Sequence, residues 1–145
     1  MGRIRIGALG TAPAWAAALL LIAYVSFGGQ EPTASDAWVA APAEGEATTA
    51  AFAVVKNPTM YDIYLVSAVS EIAGKIEFRQ TSEGEAKPVP ELTVPAYGSL
   101  TMSPEGAHLF LIDLKQPLEV DESIPLVITT DGGVKLTVHA AVRAD

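Results

Sequence analysis

The chain has 145 residues, of which half are hydrophobic, and it carries a formal net charge of −8 with no cysteine. This length allows one modest domain with a single core after an N-terminal segment is set aside. Nine Lys and Arg residues against seventeen Asp and Glu argue against nucleic acid as a partner, because phosphate binding needs a basic surface. The lack of cysteine excludes disulfides, Cys-bound zinc, copper–thiolate centres and lipidation at a lipobox.

The N-terminal segment predicts a membrane anchor or a signal peptide. Arg3 and Arg5 precede an uncharged stretch over residues 6–30, whose most apolar part is 14–27. As a helix, residues 6–27 could span a bilayer of roughly 30 Å, whereas a cleaved signal has a shorter apolar region of about 7 to 15 residues. Both interpretations stay open, and the lack of a clear Ala-x-Ala cleavage site favours the anchor.

Charge and composition then predict the organisation of the chain. The two arginines favour a cytoplasmic N-terminus, so the rest of the chain is expected to be periplasmic or otherwise extracytoplasmic, anchored in the inner membrane. We expect residues 1–34 to form the anchor or signal helix with a short Gly- and Pro-containing linker over 28–34. Residues 35–145 are expected to form the folded domain, with seven Lys and Arg against sixteen Asp and Glu.

The domain is predicted to be all-β. Short apolar runs alternate with turn residues, and no run shows a sustained period of 3.6 residues. Nine strands in this pattern indicate a β-sandwich. They are predicted at residues 36–41, 48–56, 63–70, 75–80, 91–94, 99–103, 107–114, 124–130 and 134–142.

A hairpin is predicted around Pro104-Glu105-Gly106, with residues 100–103 as one arm and 107–109 as the other. A symmetric register would place Met102 opposite His108, with Cβ atoms about 4.5–5.5 Å apart. A thioether and an imidazole at that distance could share a metal. The alternative is that Met102 fills core space while His108 bonds a backbone carbonyl near the strand start.

The strand that follows the turn carries the most informative pattern. Side chains at i and i+2 share a face, so His108, Phe110 and Ile112 are expected to point one way, with Leu109 and Leu111 the other. A His-x-Met pair here would direct two copper ligands to one point. His-x-Phe lacks the thioether that selects Cu(I).

The last predicted hairpin turns at Asp131-Gly132-Gly133, which supplies the positive φ of a tight turn. In its second arm the residues at 134, 136, 138, 140 and 142 are apolar and share one face. His139 is therefore expected to face solvent beside Lys135 and Arg143.

Several motifs in order resemble the periplasmic copper chaperones of the PCu(A)C family. That resemblance implies a cupredoxin-like Greek-key β-sandwich and an association with copper delivery or cytochrome oxidase assembly. The matching segments are Asp-Ala-Trp-Val-Ala at 36–40, Asn57, Ala-Gly-Lys-Ile-Glu at 73–77, Val-Pro-Ala at 94–96, Pro-Glu-Gly-Ala-His-Leu at 104–109, Leu-Lys-Gln-Pro-Leu at 114–118 and Asp-Gly-Gly-Val at 131–134.

The copper ligands of the family are mostly replaced in this chain. The resemblance implies a Cu(I) site of two histidines and two methionines. These four positions fall on Arg79, Ala86, His108 and Phe110, so only His108 keeps a ligand, and the stretch from Arg79 to Ala86 looks shorter than the family loop. A fixed charge on Arg79 at about 6 Å from a bound cation, with an effective dielectric near 20, would cost roughly 3 kcal/mol.

Two functions remain open. The first is an extracytoplasmic PCu(A)C-like copper chaperone with a degenerate site, in which His108 and Met102 hold Cu(I) weakly and a copper-receiving or oxidase-assembly protein is the partner. The second is a metal-free, membrane-tethered module for protein binding or assembly. An enzyme is not expected, because the chain has no Gly-x-Ser-x-Gly turn and no phosphate-binding Gly-rich loop.

Overall fold

The computed structural model describes residues 31–144, and within that range it contains ten β-strands and no helix that could cross a membrane. The predicted anchor or signal segment lies outside the described residues, except for the end of its linker. The strands are β1 Thr33–Ala40, β2 Thr49–Asn57, β3 Ile63–Val69, β4 Ala73–Ser82, β5 Glu85–Val89, β6 Leu92–Val94, β7 Gly98–Thr101, β8 Ala107–Leu114, β9 Ser123–Thr130 and β10 Lys135–Arg143.

The strands form one hydrogen-bonded path in the order β5-β4-β8-β2-β1-β10-β9-β3-β6, with β7 paired to β2 beside β8. Only the β1–β10 pair is parallel, and the other pairs are antiparallel. β3 and β4 contact each other without being paired, so the path folds over a shared interior. This confirms the predicted all-β fold.

Alternation of side chains produces the core. In β10 every second residue is buried, from Leu136 to Val142, and His139 is exposed on the other face, as predicted. In β8 Leu109 and Leu111 are fully buried. Burial of such leucine side chains stabilises the fold by about 1.5–3 kcal/mol each. The last hairpin is also confirmed: Thr130 and Val134 bond across the turn, and Gly133 has a φ of 85°.

One strand was not predicted. Residues 85–89 form β5, which pairs with β4 through a tight turn at Glu83 and Gly84, both with positive φ. The sequence prediction treated this region as a shortened loop. A two-residue turn with both central residues at positive φ matches the twist of a hairpin, so the short connection extends the sheet.

The predicted hairpin between residues 100–103 and 107–109 is wrong. Its turn exists, because Ser103 and Gly106 bond across it. However, β7 and β8 both pair with β2, β7 against its residues 54–57 and β8 against 49–51. The two segments therefore follow one another along the same edge of β2, separated by a loop. The prediction did not consider that the backbone hydrogen bonds of both arms could be made to a third strand, here β2.

Asn57 links two loops at the end of the fold where β2 finishes. Its side chain is 1% exposed, and its amide Nδ2 donates to the carbonyl oxygens of Tyr61 at 2.7 Å and of Val94 and Pro95 at 3.2 Å. Its Oδ1 accepts from the backbone N of Thr59 at 3.0 Å. One buried amide thus satisfies backbone groups of the loop before β3 and of the loop before β7.

We expect Asn57→Ala to lower the free energy of unfolding by about 2–3 kcal/mol, because buried carbonyls lose their donor. Asn57→Asp should cost at least as much at neutral pH, since a carboxylate has no proton to donate to those oxygens. Denaturant unfolding measures both. Gln80→Ala, at an exposed position, is the control and should stay within about 0.5 kcal/mol of the unsubstituted protein. Equal stability of Asn57→Ala and the control would contradict this role.

Candidate functional site

The candidate site is on the outer face of β4, β8 and β2, opposite the face that packs on the core. In the β4–β8 register, Arg79 lies directly across from His108, and Glu77 across from Phe110. Directly opposed residues in an antiparallel pair point to the same face. The face opposite Leu109 and Leu111 therefore carries three of the positions to which the resemblance assigns ligands, namely Arg79, His108 and Phe110.

His108 is 6% exposed, although it lies on the outer face. Its ring packs against Phe52 with centroids 5.9 Å apart, and Phe52 in turn contacts Trp38 at 4.4 Å. Its Nδ1 is 3.2 Å from the carbonyl oxygen of Gly106. Because a carbonyl oxygen only accepts, Nδ1 carries the proton in this hydrogen bond. Nε2 therefore has a free lone pair and is the ring atom that can bind a metal.

Arg79 and Phe110 contact each other on this face. The guanidinium carbon of Arg79 lies 3.9 Å from the centroid of the Phe110 ring, which is cation–π geometry. Nε and Nη2 of Arg79 also donate to Oε1 of Glu77, at 3.2 and 3.0 Å. The side chain of Arg79 is 25% exposed, so it lies along the sheet rather than extending into solvent.

Ala86, at the fourth position, is on the same face. It pairs with Thr81 in the β4–β5 hairpin, and Thr81 follows Arg79 by two residues. Residues two apart in a strand share a face, and opposed residues do too. The four positions named from the resemblance thus lie on one sheet face that crosses β5, β4 and β8, with β4 between Ala86 and His108.

The charge on this face differs from the sequence estimate. That estimate counted Arg79 alone, but the carboxylate of Glu77 pairs with it and offsets its charge. Glu77 was missed by the sequence analysis, although its spacing of two from Arg79 predicts a shared face. The hydrogen bond from Arg79 lowers the pKa of Glu77, and the nearby positive charges of Arg79 and Lys75 add to this effect against a smaller opposing effect of burial.

Met102 occupies a different environment. It is buried in the hydrophobic core, and its backbone N donates to the carbonyl of Ala53 at 3.0 Å. β8 pairs with β2 at Ala51 and Leu109, so His108 is next to Phe52 instead. Neighbouring residues of a strand point to opposite faces, and the register argument for joining Met102 to His108 therefore fails. A site that uses both residues stays a prediction.

Within residues 31–144, no three His, Cys, Asp or Glu side chains are grouped so that they could hold a metal. The nitrogen and oxygen ligands that suit zinc or harder cations are therefore not assembled in this range.

The lowered pKa of Glu77 predicts a pH-dependent contribution to stability. In the unfolded chain Glu77 has its ordinary pKa, so its ion pair contributes fully above that value. The contribution is lost as the pH falls through the lower pKa of the folded state. We expect the melting temperature of the unsubstituted protein to fall more between pH 7 and pH 3 than that of Glu77→Gln.

Thermal unfolding followed by circular dichroism at a series of pH values measures this difference. Glu91→Gln, at an exposed position, provides the matched control. An identical pH dependence in Glu77→Gln and the unsubstituted protein would show that the pair with Arg79 does not contribute.

Solved structures that resemble this chain include copper-bound domains. The copper-bound PCuAC domain from PmoF2 matches with a TM-score of 0.70 over 81% of this chain and 95% of that domain, at 22% identity, which shows the fold. The solution structure of Cu(I)-DR1885 from Deinococcus radiodurans matches with a TM-score of 0.64, at 32% identity, over 79% of this chain and 77% of that one. The predicted resemblance to PCu(A)C proteins is confirmed.

Comparisons in sequence agree with this result. "Putative lipoprotein Lxx21020" of Leifsonia xyli subsp. xyli is 32% identical over 114 residues, which cover 75% of this chain and 68% of that protein. The family model "Putative lipoprotein LpqE-like" matches residues 33–142, from the first residue of β1 almost to the end of β10. The chain therefore belongs to the LpqE-like family.

Proposed function

We propose that this chain is an extracytoplasmic copper-chaperone-like domain with a degenerate Cu(I) site. It acts by binding a copper ion and passing it on rather than by catalysis. Its partner is a copper-receiving or oxidase-assembly protein. The N-terminal segment holds it at the membrane. His108 supplies the one retained ligand, through Nε2.

The observation that carries this proposal is that the four positions to which the resemblance assigns ligands lie on one face of the sheet. Arg79 is paired with His108 in register, Phe110 follows His108 by two residues, and Ala86 joins the same face through the β4–β5 hairpin. The 32% identity to DR1885, a protein solved with Cu(I), supports a common origin of this face. The hydrogen bond from Nδ1 to Gly106 orients the His108 ring as a ligand is commonly oriented.

A second candidate function is a metal-free module that binds a partner protein. The contact between Arg79 and Phe110 favours it, because two ligand positions now hold side chains that stabilise each other. A single imidazole without thioethers does not select Cu(I). The two candidates differ in whether copper is bound, and a titration separates them.

For the first candidate we expect weak binding of one Cu(I) per chain, measured by competition with a chromogenic Cu(I) chelator. His108→Ala should abolish this binding, whereas His139→Ala should leave it unchanged, because exposed His139 lies on β10, which β2 and β1 separate from β8. Met102→Ala tests the predicted participation of its thioether, with the exposed Met60→Ala as the control. The absence of any competition by the unsubstituted protein would favour the metal-free module.

A variant with the ligand set restored tests the geometry directly. Arg79→His places an imidazole directly across from His108, Phe110→Met places a thioether two residues along β8, and Ala86→Met adds a second thioether on the same face from β5. Since these soft ligands suit Cu(I), we expect affinity to rise at least about a hundredfold, roughly 2.7 kcal/mol. The same triple variant with His108→Ala should lose most of that gain. No gain in a folded triple variant would show that the four positions do not form one site.

A further inference from the structure

Three exposed side chains crowd one end of the fold. Tyr97 is 75% exposed, Tyr61 70% and Met60 62%, which are the highest values among the large hydrophobic residues of the described range. Tyr61 and Met60 lie in the loop between β2 and β3, and Tyr97 lies in the loop before β7. We call the three side chains the tip.

The two loops that carry the tip are firmly held. The backbone N of Tyr97 donates to the carbonyl of Thr59 at 3.0 Å, and Asn57 bonds the carbonyls of both Tyr61 and Pro95. Tyr97 has a φ of 55°, a conformation that costs a residue with a Cβ about 1 kcal/mol or more. A buried amide and a strained backbone thus maintain an arrangement that exposes large side chains to solvent.

The tip is at the end of the fold where the chain enters the domain. β1 begins at Thr33, which pairs with Lys56, and the next residue of β2, Asn57, pairs with Gly98. The start of β1, the loop after β2 and the loop before β7 are therefore at the same end of the sheet. The opposite end contains the turn after β1 and the turn after β8, which bond through Leu114 and Ala47.

The sequence limits how far this end can be from a membrane. The predicted anchor ends at Phe27, and five residues, 28–32, precede β1. Five fully extended residues span at most about 18 Å. If the anchor ends at Phe27, this length limits the distance of Thr33, which lies at the same end of the sheet as the tip, from the bilayer.

We propose that the tip inserts into the interface between lipid headgroups and hydrocarbon, and that it orients the domain on the membrane. Tyrosine is enriched at this interface, where its ring is in the apolar region and its hydroxyl stays in water. The tip itself carries no charge, and exposed Lys56 beside it suits lipid phosphate, while the nearby carboxylate of Asp62 accepts a hydrogen bond from the backbone N of Ala96. The remainder of the domain is acidic, so anionic headgroups repel the other surfaces.

The test uses the full chain in nanodiscs of phosphatidylcholine and phosphatidylglycerol. Because the chain has no cysteine, a single cysteine labels one place with a polarity-sensitive dye. Ser99→Cys puts the dye next to the tip, and Gln116→Cys puts it at the opposite end; both positions are exposed. We expect a blue shift and quenching by spin-labelled lipids at position 99, and neither at position 116.

Substitution then separates insertion from mere tethering. Tyr61→Ser with Tyr97→Ser should remove most of the lipid quenching at position 99, because the aromatic rings that enter the interface are gone. Val66→Ser with Val69→Ser is the matched control, since these valines are also exposed but lie on β3, outside the tip. Circular dichroism checks that each variant is folded.

Three outcomes would overturn the proposal. They are equal quenching at positions 99 and 116, full quenching at position 99 after both tyrosines are replaced, and failure of the full chain to enter nanodiscs. None of these measurements depends on copper, so the result is independent of the proposed Cu(I) binding.

Discussion

The register of β8 between β4 and β2 is the constraint on which the rest of the structure depends. Leu109 and Leu111 are fully buried, and a slip of one residue would turn both toward solvent and bring His108 into the core. The cost of exposing two leucines, about 3–6 kcal/mol, is comparable to the whole stability of a small domain. The apolar residues of the strand therefore fix the position of His108, although they have no part in its chemistry. Pairing with β4 then determines that Arg79, and not another residue, is its neighbour.

On this outer face, the side chains next to His108 contact one another. Arg79 stacks on Phe110 and pairs with Glu77. The guanidinium supplies a positive charge on this face, and its carboxylate partner offsets that charge. Repulsion of a metal ion is thus weaker than Arg79 alone implies, and the larger obstacle to Cu(I) is the absence of thioethers together with the volume that the guanidinium occupies. On β1 and β10, which continue this outer face beyond β2, the guanidinium carbon of Arg143 lies 5.2 Å from the Trp38 ring centroid.

The sequence was sufficient for features that depend on local alternation and was insufficient for features that depend on which strand becomes a neighbour. The faces of β8 and β10 followed from a period of two, and the turn at Asp131 to Gly133 followed from its glycines. The position of Met102 did not follow, because a turn at Pro104 is compatible both with a hairpin and with two segments that pair with β2. The strand β5 was missed because four of its five residues are exposed and one of them is a proline, so burial leaves no pattern in the sequence. The ion pair of Arg79 could have been predicted from its spacing to Glu77.

The first strand of the domain connects the proposed membrane contact to the rest of the sheet. β1 is paired on both sides, antiparallel to β2 and parallel to β10, so the domain begins with a strand in the middle of the sheet rather than at a free edge. Asn57 ends the neighbouring strand and holds the loops of the tip. Backbone pairing and one buried amide therefore fix the exposed tyrosines relative to the start of β1. Under the proposed insertion of the tip into a membrane, loss of this amide network would release the two loops and with them the surface that makes the contact.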